Sequence, residues 1–302
     1  MKIESTNESE SAADVADKGR RNRERHRDGE GLLRRRTLAA TKRTARSVVR
    51  APLDKRRLVF IFGCQRSGTT MLQQTFLDRS WRVLIVEETD RRLVGRKALP
   101  GETRWQEYHT VLRRLRQFPF EVVAAKPLVE SDRATELMDS AERVKGIWML
   151  RDYEGVARSN IKRFGSENPF RDLEPFCSAN ATDWRSRGAA GETRETVASL
   201  RREALTPLDA AALFWWARNQ LYFQQRLQTD ERVRIIRYER ACNHPEALAL
   251  ALSKYVDVDL PAHSIASRVR LDSGAGESSG LHPEVERLCR ATWDRFAGCP
   301  EL

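Results

Sequence analysis

The chain of 302 residues carries 54 Lys and Arg against 43 Asp and Glu, a formal net charge of +11 at pH 7. This length suits one large α/β domain or two small ones. No apolar run of about 18 residues occurs, so the sequence predicts no membrane-spanning helix, and its charged start is unlike a secretory signal. The five cysteines are scattered, which argues against disulfides or zinc and favours a reducing, cytoplasmic location.

Residues 1–54 are predicted to be a basic, disordered tail in front of one α/β domain at residues 55–302. The first 50 residues hold 14 Lys and Arg against 8 Asp and Glu and contain no aromatic residue. Such a composition is typical of disorder. The alternative is a basic helix from residue 32 to 50 that contacts a membrane surface weakly or binds nucleic acid. We expect no stable nucleic-acid partner.

The domain is predicted to be organised around one short stretch. Residues 58–62 are an unbroken apolar run that predicts a buried strand of a parallel sheet. Gly63 and Gly68 then bracket a tight loop, and residues 71–77 continue as an amphipathic helix. A strand, a glycine-rich loop and a helix in this order present backbone N–H groups to an anionic phosphate.

The loop has the G-x-x-x-x-G spacing of a nucleotide-binding P-loop but departs from it afterwards. Thr69, followed by Thr70, stands where the Walker A motif requires Lys. The cation of the loop is Arg66, and Ser67 adds another hydroxyl. The loop is therefore suited to a phosphate, but it lacks the lysine that serves the β- and γ-phosphates of ATP.

Four further apolar segments predict strands, at residues 81–86, 120–126, 144–152 and 233–239. The predicted fold is α/β and three-layered, with a central, mostly parallel sheet of about five strands and a P-loop-like phosphate-binding loop. Glu88, Lys126 and Arg151 come at or just after strand ends, where α/β sheets bind ligands. The alternatives are that Glu88 opens a helix and that Lys126 is an ordinary surface lysine.

Between the strands the sequence predicts helices and one long loop. Residues 165–202 contain two prolines and two glycines besides Gly165 and are predicted to be a loop that binds the acceptor. Helices are predicted at residues 131–143, with Ser131 or Asp132 as the cap, and at 153–164, 207–228, 245–255 and 283–296.

The run Arg66-Ser67-Gly68-Thr69-Thr70 before an apolar helix resembles the 5′-phosphosulfate loop of sulfotransferases that use 3′-phosphoadenosine-5′-phosphosulfate (PAPS). Glu87-Glu88-Thr89 resembles the tyrosylprotein sulfotransferase branch, whose second Glu is the catalytic base; here it is Glu88. Lys126-Pro127 is similar to a Lys-Pro step of this family. Arg151 followed by Ser159 resembles the pair that holds the 3′-phosphate.

The resemblance implies a PAPS-dependent sulfotransferase that moves a sulfonate in line to an acceptor hydroxyl on a small molecule, lipid, glycan or peptide. Arg66 and Lys126 would stabilise the developing charge, and Glu88 would take the proton. No metal is expected, because the sulfonate carries a single negative charge. The loop has Arg where small-molecule cytosolic members have Lys, and we expect no signal anchor like that of the Golgi members. The substrates of those groups are therefore not carried over.

Two other functions remain open from the sequence. A P-loop kinase or NTPase needs a Lys at position 69, where Thr stands, and an acid after an apolar strand, which Asp152 supplies. A basic nucleic-acid-binding protein would depend on the tail.

Overall fold

The structure is a computed structural model that describes residues 56–90, 93, 108–117, 120–178, 182–269 and 280–302. The predicted tail at residues 1–54 lies outside the described residues, and so does most of the segment that follows Asp90. None of the helices in the described part of the chain is long and apolar enough to cross a bilayer.

The predicted sheet is confirmed among these residues. Five strands pair in the order β2-β3-β1-β4-β5, and all four pairings are parallel. The predicted strands β2, β3, β4 and β5 extended one or two residues beyond the observed strands at one or both ends. The strands are β1 (Arg57–Gly63), β2 (Val83–Val86), β3 (Val122–Ala125), β4 (Val144–Leu150) and β5 (Val233–Arg237).

Helices and short turns connect the strands. The α-helices are α1 (Thr69–Thr75), α2 (Tyr108–Gln117), α3 (Ala134–Met138), α4 (Tyr153–Phe164), α5 (Asn168–Cys177), α6 (Gly191–Leu200), α7 (Pro207–Gln224), α8 (Tyr238–Asn243), α9 (Pro245–Val256), α10 (His263–Ala266) and α11 (Pro283–Phe296). Three 3₁₀ segments lie at Phe76–Arg79, Leu128–Arg133 and Leu227–Thr229.

The central strand β1 shows why the fold has three layers. Phe60 and Phe62 pack into one hydrophobic cluster together with side chains of α4, α5, α7 and α11. Val59 and Ile61 point to the opposite face and pack with α1 and α9. A strand that is covered on both faces needs apolar residues at every position, which explains the unbroken run in the sequence.

The predicted loop at residues 165–202 is wrong, because this segment holds α5 and α6. Pro169 lies in the first turn of α5, where its missing N–H has no intrahelical partner to lose. Leu173 and Phe176 are buried on one side of α5, and Val197 of α6 is buried as well. The prolines therefore stand within a packed helix pair.

Two other boundaries differ from the sequence prediction. The predicted helix at residues 131–143 is a 3₁₀ segment followed by the short α3, and neither Ser131 nor Asp132 acts as its cap. Ser131 instead donates its hydroxyl to the Leu128 carbonyl, 2.9 Å away. Tyr238 and Glu239 begin α8 instead of ending β5.

Helix α7 lies at the centre of the larger hydrophobic cluster, and a capping box fixes its start. The Thr206 hydroxyl accepts a hydrogen bond from the Asp209 N–H at 3.2 Å, and the Asp209 carboxylate accepts from the Thr206 N–H at 2.8 Å. Asp209 is 3% exposed, and its second oxygen accepts from the His282 N–H at 2.7 Å. One buried carboxylate therefore joins the starts of α7 and α11.

We expect Asp209→Ala to lower the free energy of unfolding by about 2 kcal/mol, because it leaves two backbone N–H groups without their acceptor. Urea denaturation followed by circular dichroism measures this. Glu284→Gln is the control, since Glu284 pairs with the exposed Arg287 and should contribute little. Equal midpoints for the two variants would contradict the role of the capping box.

Candidate functional site

The candidate site lies at the carboxyl edge of the sheet, where the loop between β1 and α1 leaves the central strand. Gly63 has φ 133°, and a Cβ there would lie 2.5 Å from the Met149 carbonyl oxygen. Gly68 has φ 93°, and a Cβ there would lie 2.6 Å from Cδ2 of Tyr238. Both positions therefore require glycine, and the loop is pressed against β4 and α8.

The loop carries polar groups on a sharply turned backbone. Arg66 lies in the left-handed region with φ 67°. The Ser67 side chain is fully buried, and its Oγ has no hydrogen-bond partner among the described residues. Thr69 begins α1, and no side chain caps this helix. A buried hydroxyl without a partner costs about 1–3 kcal/mol, which makes such an atom typical of a site that binds a ligand.

A first polar cluster surrounds Lys126, which follows β3. The side chain is 7% exposed, so an ordinary surface lysine is excluded. Its Nζ donates to Oγ1 of Thr70 at 3.1 Å and lies 3.4 Å from Oε2 of Glu87. This cluster brings the end of β3, the end of β2 and the start of α1 together.

Glu88 lies beside this cluster, in a turn and not at a helix start. Burial raises the pKa of the Glu88 carboxyl above its ordinary value of 4.5, the positive charge of Lys126 opposes this effect, and Glu87 adds to it. A carboxyl whose pKa is raised towards neutrality is suited to accept a proton at physiological pH.

A second polar cluster joins the loop to Ser159 in the middle of α4 and to Arg151 in front of this helix. Arg66 donates from Nε to Oγ of Ser159 at 3.1 Å. Arg151 donates from Nη1 to the Arg66 carbonyl at 3.4 Å, and its guanidinium lies over the Tyr238 ring, 4.4 Å from the centroid. The structure thus brings Arg66, Arg151 and Ser159 together, although 93 positions separate Arg66 from Ser159.

The backbone of residues 151 and 152 is held by Trp215 and Glu239. Trp215 donates from Nε1 to the Arg151 carbonyl at 3.0 Å. Glu239 accepts from the Asp152 N–H at 2.8 Å, and burial raises the pKa of this carboxyl. The Asp152 carboxylate itself caps α4 by accepting from the Gly155 N–H at 2.6 Å.

Sequence reasoning missed two further residues near the site. Tyr238 contacts both Gly68 and Arg151, and the sequence placed it near the end of a predicted strand without a role in the site. Asp172 of α5 accepts a hydrogen bond from Gln65 in the loop, and no local pattern pointed to it. Arg268 pairs with Asp78 at 2.7 Å. Among the described residues, no group of His, Cys, Asp and Glu is arranged to hold a metal ion.

No family model matches the chain, and no curated protein matches it. Several solved structures are similar to it, and three of them share 14% sequence identity with it. The sulfotransferase domain of the Synechococcus PCC 7002 olefin synthase aligns over 82% of this chain and 97% of its own, with a TM-score of 0.40. The sulfotransferase domain of the curacin biosynthetic pathway aligns over 81% and 91%, with a TM-score of 0.41.

The third structure, a sulfotransferase from Mycobacterium avium, aligns over 89% of this chain and 83% of its own, with a TM-score of 0.43. At this level of identity the similarities concern the course of the backbone and identify no substrate.

The raised pKa of Glu88 predicts how the stability depends on pH. Above pH 4.5 the folded state binds more protons at Glu88 than the unfolded state, so the free energy of unfolding falls as the pH rises through the raised pKa. Glu88→Gln removes this loss, and we expect the variant to gain stability relative to the wild type as the pH increases. Urea titrations over a series of pH values measure the difference. Parallel curves for the two proteins would contradict the raised pKa.

Proposed function

We propose that the chain is a sulfotransferase that moves a sulfonate from PAPS to an acceptor hydroxyl. The observation that carries this proposal is the pair of polar clusters on the two sides of one glycine-rich loop. Arg66, Arg151 and Ser159 form one cluster, and Lys126 with Thr70 forms the core of the other. PAPS is a nucleotide with a 3′-phosphate at one end and a 5′-phosphosulfate at the other, so it needs two anion sites that are bridged by one loop.

In this proposal the donor is held by the loop, by Arg151 and by Ser159 of α4. The loop amides and the hydroxyls of Ser67, Thr69 and Thr70 receive the phosphosulfate, with Gly68 leaving room for the backbone to approach it. Arg151 and Ser159 hold the 3′-phosphate, since a guanidinium presents a planar fork of donors that matches phosphate oxygens. The hydrogen bond from Arg66 to Ser159 supports this assignment, because Ser159 lies directly beside the loop.

Lys126 is the proposed stabiliser of the charge that develops on the bridging oxygen. Its ammonium group is almost fully buried, and a fixed cation in a water-poor site stabilises a developing charge more strongly than an exposed one. The Arg66 guanidinium is the second cation that we assign to the transfer. The sulfonate carries one negative charge, so the proposal includes no metal.

Glu88 is the proposed general base. The acceptor oxygen attacks the sulfur, the bond from sulfur to the bridging oxygen breaks, and the acceptor proton passes to the Glu88 carboxylate. Adenosine 3′,5′-bisphosphate then leaves with the bond electrons on its 5′-phosphate. The raised pKa of Glu88 supports this role. The acceptor is a hydroxyl compound, and a screen of small molecules, lipids, glycans and peptides with labelled donor would identify its class.

Ligand binding tests the donor assignment directly. We expect adenosine 3′,5′-bisphosphate to raise the melting temperature of the protein by differential scanning fluorimetry, and Mg-ATP to raise it less, because the loop lacks the Walker lysine. Arg151→Ala and Ser159→Ala should each weaken binding of the bisphosphate by about tenfold or more in calorimetry.

Lys254→Ala is the control for these two variants, since it removes one positive charge from the exposed side of α9. A shift with Mg-ATP and none with the bisphosphate would favour a kinase or NTPase and would overturn the proposal.

Turnover tests the residues assigned to the transfer. We expect Lys126→Met and Glu88→Gln to lower kcat by roughly a hundred- to thousandfold, because each removes an interaction that strengthens in the transition state. Both should bind the bisphosphate within a few-fold of the wild type. Glu87→Gln is the matched control, since the Glu87 side chain is 46% exposed and has no assigned part in the transfer, although it pairs with Lys126. Wild-type turnover by Glu88→Gln would require another base.

A further inference from the structure

Asp172 is a buried carboxylate of α5 that no part of the proposed chemistry uses. It is 1% exposed. Its Oδ2 accepts from Nε2 of Gln65 at 2.7 Å and from Nδ2 of Asn168 at 2.9 Å, with a longer contact of 3.5 Å to Nδ2 of Asn160. Its Oδ1 accepts from Nε of Arg185 at 2.7 Å. Both oxygens are therefore fully engaged by donors.

One of these donors belongs to the phosphate-binding loop. Gln65 directly precedes Arg66, which has the left-handed φ of 67°, and the buried Ser67 comes next. A non-glycine residue keeps such a backbone conformation only where its surroundings hold it. Within the loop, the Ser67 N–H donates to the Cys64 carbonyl at 3.3 Å, a long bond that holds the turn weakly. The hydrogen bond from Gln65 to Asp172 is thus a side-chain anchor at the sharpest point of the loop.

The same network extends to the segment that follows Lys126. Arg185 lies in the turn at residues 182–188, and Arg187 of this turn donates to both oxygens of Asp132, at 2.7 and 3.0 Å. Arg187 also donates to the Val129 carbonyl at 2.8 Å. The turn therefore connects the anchor of the loop with the 3₁₀ segment that begins two residues after Lys126. The hydrogen-bond network of Asp172 thus extends from the loop to the segment that follows Lys126.

A purely structural role for Asp172 would also explain its burial, and the chain allows the two roles to be separated. Gln65→Met cuts only the bond to the loop and leaves Asp172 paired with Arg185 and Asn168. Methionine has nearly the same length as glutamine and has no N–H to donate. A variant at Gln65 therefore tests the loop anchor without breaking the rest of the network.

We propose that Asp172 is a positioning residue, which holds Gln65 and thereby fixes the backbone of Arg66 and Ser67 in the conformation that binds the donor. The identity of the ligand rests on the proposed function, whereas the anchoring of the loop does not. Asp172 acts on the donor side, so its loss raises the KM for the donor and leaves the KM for the acceptor near that of the wild type.

The experiment compares Gln65→Met, Asp172→Ala and the double variant in the full chain. Hydrogen–deuterium exchange of the loop amides at residues 63–72 measures the anchor without any ligand, and calorimetry with adenosine 3′,5′-bisphosphate measures its effect on binding. We expect each single variant to exchange these amides about tenfold faster and to bind about tenfold more weakly. The double variant should match Asp172→Ala, because that variant already lacks the acceptor for Gln65.

Asp209→Ala is the matched control, since Asp209 is another buried carboxylate and its hydrogen bonds hold the starts of α7 and α11, not the loop. It should lower the melting temperature and leave the exchange of residues 63–72 unchanged. Wild-type exchange and affinity in Gln65→Met, or additive effects in the double variant, would overturn the proposal. If the wild type binds no bisphosphate, the proposed function fails, and the exchange of the loop amides still decides whether Asp172 positions the loop.

Discussion

The close approach of Gly63 to the backbone of Met149 fixes the position of the whole candidate site. These residues are paired at the end of the β1 and β4 ladder, and any side chain at position 63 would collide with the Met149 carbonyl. The chain therefore leaves β1 directly beside β4, whose continuation carries Arg151. This explains why the Arg151 guanidinium reaches the carbonyl of Arg66 in a loop from another part of the sequence. Because Gly63 has no Cβ, the loop that carries Arg66 can contact Arg151.

The positive charge next to the loop comes from another part of the chain. A nucleotide-binding P-loop carries its lysine within the loop, whereas here position 69 is threonine and the ammonium group comes from the end of β3. Lys126 is bonded to Thr70, so it lies close to the place that the loop itself leaves without a cation. Glu87 balances its charge on one side, and the buried Glu88 lies within its field. The ion pair with Glu87 compensates the charge of the buried Lys126.

The sequence predicts those parts of the fold and of the candidate site that depend on neighbouring residues, and it misses those that depend on distant contacts. The strand at β1 and the bounds of α4 and α11 were predicted correctly, because apolar periodicity and capping residues act over a few positions. The helices α5 and α6 were missed, because Pro169 and Pro175 suggested a loop. The packing that stabilises these helices comes from residues that are distant in the sequence. Asp172 lies 107 positions from Gln65, and no pattern in a single sequence links positions so far apart.

The strand order explains why both polar clusters reach the same loop. With the order β3-β1-β4, the strand that carries the loop lies between the strand that carries Lys126 and the strand that carries Arg151. All strands run in the same direction, so these side chains leave the sheet at one edge and border the loop from opposite sides. A sheet with β1 at its margin would supply a cation from one side alone. Two flanking cations suit a ligand with two separated anionic groups better than a triphosphate chain, whose charges follow one another along a single path.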